Sequence, residues 1–132
     1  MSKVLHLEKS EDFKNLISEG TVLVDFFATW CRPCQMLGPV LDEVSEEVDF
    51  KIVKVDVDQF PELAGEYQVR SIPTMVKFEA GVAKDVTLGY KSKEEVKDFV
   101  KPLPIKLLDL VRMTSVLLNN AIEGAAESYQ KT

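Results

Sequence analysis

Thr21-Val22-Leu23-Val24-Asp25-Phe26-Phe27 is an apolar run broken by one acid, and it leads through Ala28-Thr29-Trp30 into Cys31-Arg32-Pro33-Cys34. β-Branched and aromatic residues on both alternating faces suit a strand covered on both sides, so this segment is expected at the centre of a sheet. Past Cys34 the apolar period changes from two to 3.6. Leu37, Val40, Leu41, Val44 and Val48 fall on one face, and Asp42, Glu43, Glu46 and Glu47 on the other. That is an amphipathic helix, and Pro39 inside it removes one backbone donor and predicts a kink. The two cysteines therefore occupy the turn where a buried strand hands the chain to a helix.

Working outward, Val4 to Leu7 reads as a short first strand. Ser10 reads as the N-cap of a helix over Glu11 to Glu19, with Phe13, Leu16 and Ile17 on its apolar face and Gly20 as its stop. Phe50 to Val57 returns to strand character, Pro61 to Tyr67 reads as a short helix opened by proline, and Thr74 to Phe78 reads as a strand. Glu79-Ala80-Gly81 then leads to a strand from Val82 to Leu88, a link short enough to force an antiparallel hairpin. Ser92 caps a further helix carrying Val96, Phe99 and Val100. The order β-α-β-α-β-α-β-β-α demands right-handed parallel crossovers first and an antiparallel hairpin later. The fold class is α/β, a mixed five-stranded sheet between helices.

Pro102 and Pro104 break this pattern, so the domain is expected over residues 1–101, with an extension over residues 102–132. From Leu107 onward a helical wheel gathers leucine, valine, isoleucine and alanine on one half, with Asp109, Arg112, Asn119, Asn120, Glu123 and Glu127 on the other. An amphipathic C-terminal helix is expected there. Its broad apolar half requires cover from its own domain, from self-association with a second copy, or from docking on a partner protein.

The 132 residues suffice for one domain and leave no room for a second full core. With 45% apolar and 29% charged residues the chain can fold alone, and a net charge of −6 argues against nucleic acid or an anionic membrane surface as partner. Two cysteines three positions apart close no long loop, which excludes a disulfide-stapled secreted scaffold. Two Cys and the single His6 fall short of a four-ligand zinc site, and no cofactor motif such as a glycine-rich phosphate loop is present. No metal or organic cofactor is expected. The first residues reach Glu8 before any apolar leader could form, and no run approaches the ~18 apolar residues of a membrane span. A cytoplasmic location is the expectation.

At a helix N-terminus the partial positive charge and unpaired amides favour a thiolate, so Cys31 should ionise below the ordinary thiol value of ~8.5, and Arg32 adds to that push. Its sulfur is expected in the open at the protein surface. Cys34 lies one helical turn on, close enough to attack a mixed disulfide formed on Cys31, and Pro33 stiffens the turn without losing a hydrogen bond. Asp25 in an apolar strand should be desolvated and hold its proton to a raised pH, which suits moving protons to and from Cys34. Pairing with Lys54 would give Asp25 a merely structural role.

Phe26-Phe27-Ala28-Thr29-Trp30-Cys31-Arg32-Pro33-Cys34 resembles the active-site segment of thioredoxins. The likeness extends over residues 3–101. Asp25 stands at the family's buried acid, Lys54 at the lysine near it, and Arg70-Ser71-Ile72-Pro73-Thr74 resembles the loop that holds a cis-proline opposite the cysteines. Pro39, Gly81 and Gly89 match the family's kink, hairpin and groove positions. The resemblance implies the thioredoxin fold and a protein-disulfide reductase serving cell redox homeostasis. Catalysis would rest on Cys31, Cys34, Asp25 and Lys54, and substrate would meet Trp30, Arg32, Pro33, Ile72, Pro73, Thr74 and Gly89. A cis bond at Pro73 would leave the backbone of Ile72 and Thr74 open to an extended substrate segment. Met36, Ile72 and Gly89 would complete a flat apolar docking surface. The implied partners are disulfide-containing proteins and a thioredoxin reductase as electron donor.

Two residues depart from the family's habit. Arg32 replaces a usual glycine, and a cation beside the thiolate should make the protein somewhat more oxidising. Phe27 replaces a usual tryptophan. The sequence leaves two rival readings: an oxidant or isomerase on the same chemistry, and a binding scaffold that uses the C-terminal helix.

Overall fold

The computed structural model describes residues 1–101; the expected helix within residues 102–132 lies outside the described residues. The elements are β1 (Leu5–His6), a 3-10 turn (Ser10–Asp12), α1 (Phe13–Ile17), β2 (Thr21–Phe27), α2 (Arg32–Glu47), β3 (Lys51–Asp56), α3 (Pro61–Glu66), β4 (Thr74–Glu79), β5 (Val82–Leu88) and α4 (Lys93–Val100). Among the described residues no helix is long and apolar enough to cross a membrane.

The sheet order is β1-β3-β2-β4-β5, with β2 at its centre as the apolar run requires. β1 and β2 run parallel to β3, and β4 runs antiparallel to both β2 and β5. Period-two alternation then divides β2 between two cores. Val22, Val24 and Phe26 join Phe13, Ile17, Leu63, Val76 and Phe78 on the face of α1 and α3. Leu23 packs with Leu37, Leu41, Val44, Met75, Val96 and Val100 on the face of α2 and α4. Asp25 shares Leu23's parity, so it points to the α2 face, where the helix that begins at the cysteines lies.

α2 holds Pro39 inside it and buries Leu37, Leu41 and Val44 as its period dictates. Ser45, also buried, accepts the Lys3 N–H at 2.9 Å. The hairpin turns at Ala80 and Gly81, both with positive φ, which the glycine adopts without strain. β5 forms the outer edge of the sheet, and the Asp85 carboxylate accepts the Val86 N–H at 2.9 Å. Ser92 caps α4 in a reciprocal box: the Glu95 N–H donates to Ser92 Oγ at 3.2 Å, and the Ser92 N–H donates to Glu95 Oε1 at 3.1 Å.

The first helix departs from its expectation. Ser10 makes no cap; instead the Asp12 N–H donates to the Lys9 carbonyl at 3.1 Å, winding one 3-10 turn before a five-residue α1. The Ser18 hydroxyl then donates to the Asn15 carbonyl at 2.8 Å and closes the helix short of Glu19. Burial of Phe13 and Ile17 sets this segment more strongly than its cap residues do.

Candidate active site

The end of β2 delivers the chain to a tight turn in which the Cys31 N–H donates to the Ala28 carbonyl at 3.3 Å and Gln35 Nε2 donates to the Thr29 carbonyl at 2.8 Å. Cys31 is the N-cap of α2, with Pro33 in the first turn where its missing N–H costs nothing. Cys31 and Cys34 are paired as a disulfide, their Cα atoms 5.2 Å apart. The Cys34 N–H donates to Cys31 Sγ at 3.3 Å, so the sulfur takes the place that an oxygen fills at ordinary N-caps. An amide donor and the helix dipole at one sulfur both favour its anionic form once the disulfide is reduced.

The loop before β4 closes over this pair. The Ile72–Pro73 peptide is cis, as the resemblance implied, and the Ile72 carbonyl oxygen lies 3.7 Å from Cys31 Sγ. The Gly89 N–H donates to the Pro73 carbonyl at 2.8 Å, which binds the turn after β5 to the proline loop. Gly89 has φ +84°, a conformation that L side chains rarely adopt. Thr74 is buried, and its hydroxyl donates to the Ser71 carbonyl at 2.5 Å.

The open sulfur expected from the sequence is corrected here. Cys31 is only 5% exposed, because Ala28, Cys34, Phe27, Val57 and Ile72 pack around it. The cysteines lie at the C-terminal edge of the parallel strands, with Trp30, Arg32, Pro33 and Met36 exposed beside them in the chain and Ile72 half-buried.

Asp25 is fully buried, and neither carboxylate oxygen has a hydrogen-bond partner. Burial pushes its pKa up to about 7, while the Lys54 charge pulls it down. Lys54 faces Asp25 in the β2–β3 register, but its ammonium lies 4.2 Å from the Phe27 ring centroid instead of pairing with the acid. A Cβ on Gly38 would come 3.7 Å from that ammonium, an ordinary contact, so the ammonium lies against α2. The structural ion pair that would have made Asp25 inert is therefore absent. Phe27, the departure from the family's tryptophan, is the ring on which the cation rests.

Trp30 is 69% exposed, and its indole N–H donates to Asp58 Oδ2 at 2.8 Å. The Asp58 N–H donates in turn to Asp56 Oδ1 at 2.9 Å. Sequence reasoning missed Asp58. Its signal was the acid pair Asp56 and Asp58 at the end of a strand parallel to β2, which brings both to the same sheet edge as Trp30. Among the described residues no group of three or more His, Cys, Asp or Glu is placed to hold a metal ion.

Comparisons with known proteins agree with this geometry. The thioredoxin family model matches residues 3–102. A thioredoxin of Mycoplasmoides gallisepticum is 42% identical over 98 residues, 73% of this chain and 98% of its own length. A Bacillus subtilis thioredoxin is 45% identical over 92 residues, covering 68% of this chain and 88% of its own. Among solved structures, a Schistosoma mansoni thioredoxin superposes with TM-score 0.71 at 35% identity, over 77% of this chain and 96% of that one. A family model that matches most of the chain, and relatives at this identity over nearly their whole length, lead to one conclusion: the chain belongs to the thioredoxin family and is a thioredoxin-type thiol-disulfide oxidoreductase.

Proposed function

We propose that this chain reduces protein disulfides with Cys31 as the attacking group. The observation that carries the assignment is the Cys34 amide donated to Cys31 Sγ at the start of a 16-residue helix. The reduced Cys31 thiolate attacks one sulfur of a substrate disulfide, forming a mixed disulfide and releasing the other substrate sulfur as a thiolate. Cys34 then loses its proton to Asp25, attacks Cys31 Sγ and expels the remaining substrate thiolate. Two electrons pass to the substrate and the Cys31–Cys34 disulfide is restored. A carboxyl that titrates near neutrality is suited to this transfer in both directions, and the nearby Lys54 holds it from rising further.

The substrate segment lies against Trp30, Pro33, Ile72 and Gly89, with the backbone beside Pro73 and Thr74 available for strand-like pairing. Reduction back to the dithiol is assigned to a thioredoxin reductase, and the setting to the reducing cytoplasm. The exchange needs no metal or organic cofactor. A single experiment tests the roles: insulin-disulfide reduction by the full chain, with Cys31→Ser and Cys34→Ser variants. Cys31→Ser should abolish reduction, and Cys34→Ser should accumulate a substrate adduct on Cys31 visible by mass spectrometry. An adduct on Cys34 in the Cys31→Ser variant, with none in the other, would reverse the roles.

A further inference from the structure

The described residues contain two arginines, and both flank the disulfide: Arg32 is adjacent to Cys31, and Arg70 precedes by two positions the Ile72 whose carbonyl lies 3.7 Å from the sulfur. Both are exposed. Every described ion pair uses a lysine or the N-terminus; among the described residues neither guanidinium has a carboxylate within 4 Å. The acids at this end of the sheet are engaged by the protein itself, Asp58 by the Trp30 indole and Asp56 by the Asp58 N–H. In a chain of net charge −6, two exposed arginines, one next to Cys31 and one on the loop whose Ile72 carbonyl meets its sulfur, stand out against the general field.

We infer that Arg32 and Arg70 form a cationic rim that selects disulfides carrying acidic residues beside the reactive cystine. The inference rests on the disulfide-reductase reading above and narrows its substrate class. A guanidinium offers paired N–H donors in a planar fork that matches a carboxylate, and it stays charged at every relevant pH. Arg32 rises from the first turn of α2 and Arg70 from the loop before β4, so an extended segment laid beside Pro73 passes between two chain elements that each bear one cation. Its sulfur would meet Cys31 with acidic flanks neutralised, whereas lysine flanks would be repelled by both arginines. Exposed charge contacts are individually modest and salt-sensitive, and two of them together correspond to about a tenfold preference at low salt.

The test is single-turnover reduction of three cyclic cystine peptides by the reduced full chain. The peptides differ only in flanking residues: glutamate, serine or lysine. Because the protein is reduced beforehand, no reductase enters. The expected result is a rate about tenfold higher for the glutamate than for the lysine peptide at about 0.01 M salt, falling towards equality at about 1 M, where screening shortens to about 3 Å. In the Arg32→Glu/Arg70→Glu double variant the ratio should invert, and with Arg70→Gln it should shrink about threefold. Ratios between peptides cancel any general loss of activity in a variant. Equal rates for all three peptides at low salt, with the serine peptide reduced, would overturn the rim and leave the reductase standing. A preference that persists in the double variant would overturn its assignment to these arginines. Failure to reduce any of the peptides would remove both readings.

Discussion

Asp25 and Lys54 are register partners on parallel strands, yet the ammonium of Lys54 lies over the Phe27 ring and both Asp25 oxygens are left without a hydrogen bond. The lysine acts on the acid through its field alone. That arrangement leaves a buried carboxyl able to gain or lose a proton near neutral pH, which a direct ion pair would have prevented.

Replacing Asp25 by asparagine should stabilise the protein in alkaline solution. The folded-state pKa of about 7 exceeds the ordinary 3.8, so between these values the folded chain holds a proton that the unfolded chain has lost. Stability therefore falls as pH rises through that window. At about pH 8 the Asn variant should be more stable than the parent by about 4 kcal/mol, at 1.36 kcal/mol per unit, with little difference below pH 4. Urea unfolding at both ends of the range measures this, and parallel pH curves for the two proteins would refute it. Release of the mixed disulfide should slow by about tenfold or more in the same variant.

Lys54→Met removes the charge that holds the Asp25 pKa down. The carboxyl midpoint should then move above about 7, the value it has beside the lysine. Carbon-detected titration of the Asp25 carboxyl reads the shift directly. A midpoint that stays in place would mean that solvent already screens Lys54 from the acid.

Asp58→Ala should free the indole of Trp30. Because the chain has one tryptophan, fluorescence reports on this contact alone, and emission should lose anisotropy. The hydrogen bond joins exposed groups, so stability should change by less than about 0.5 kcal/mol. Insulin reduction should fall about three- to tenfold as Trp30 loses its orientation beside the cysteines. Unaltered anisotropy would show that other contacts hold the ring.

Arg32→Gly should make the protein more reducing. The cation beside Cys31 favours the thiolate and thereby the dithiol form. Losing an exposed contact of ~0.5–1 kcal/mol lowers the potential by about 10 to 20 mV. Equilibration with glutathione measures it, and a potential equal to or above the parent's would count against the electrostatic account.

Strand β2 spans the same residues in the structure as in the sequence reading, because Thr21 to Phe27 is apolar on both faces and only a central strand can bury both. The cysteine turn, the hairpin at Ala80-Gly81 and the helix after Ser92 were legible for equally local reasons. Ser10 does not cap the first helix, because its cap propensity is worth less than the burial of Phe13 and Ile17 behind it. Glu95 completes the box at Ser92 at the three-residue spacing such a box requires. Two site features lay beyond local pattern. The bond from Trp30 to Asp58 spans 28 positions, and the resting place of Lys54 on Phe27 depends on a parallel register that no spacing within either strand encodes. The enclosure of Cys31 was likewise hidden, since Ile72 and Val57 come from distant segments.

The bond from the Gly89 amide to the Pro73 carbonyl joins the two loops beside the sulfur before any substrate arrives. The two loops are thus fixed in advance, and the entropy lost on docking falls on the incoming segment. Pliant, partly unfolded client loops would surrender more freedom there than clients whose cystine is already held extended, so rigidity in the client becomes an aid to capture.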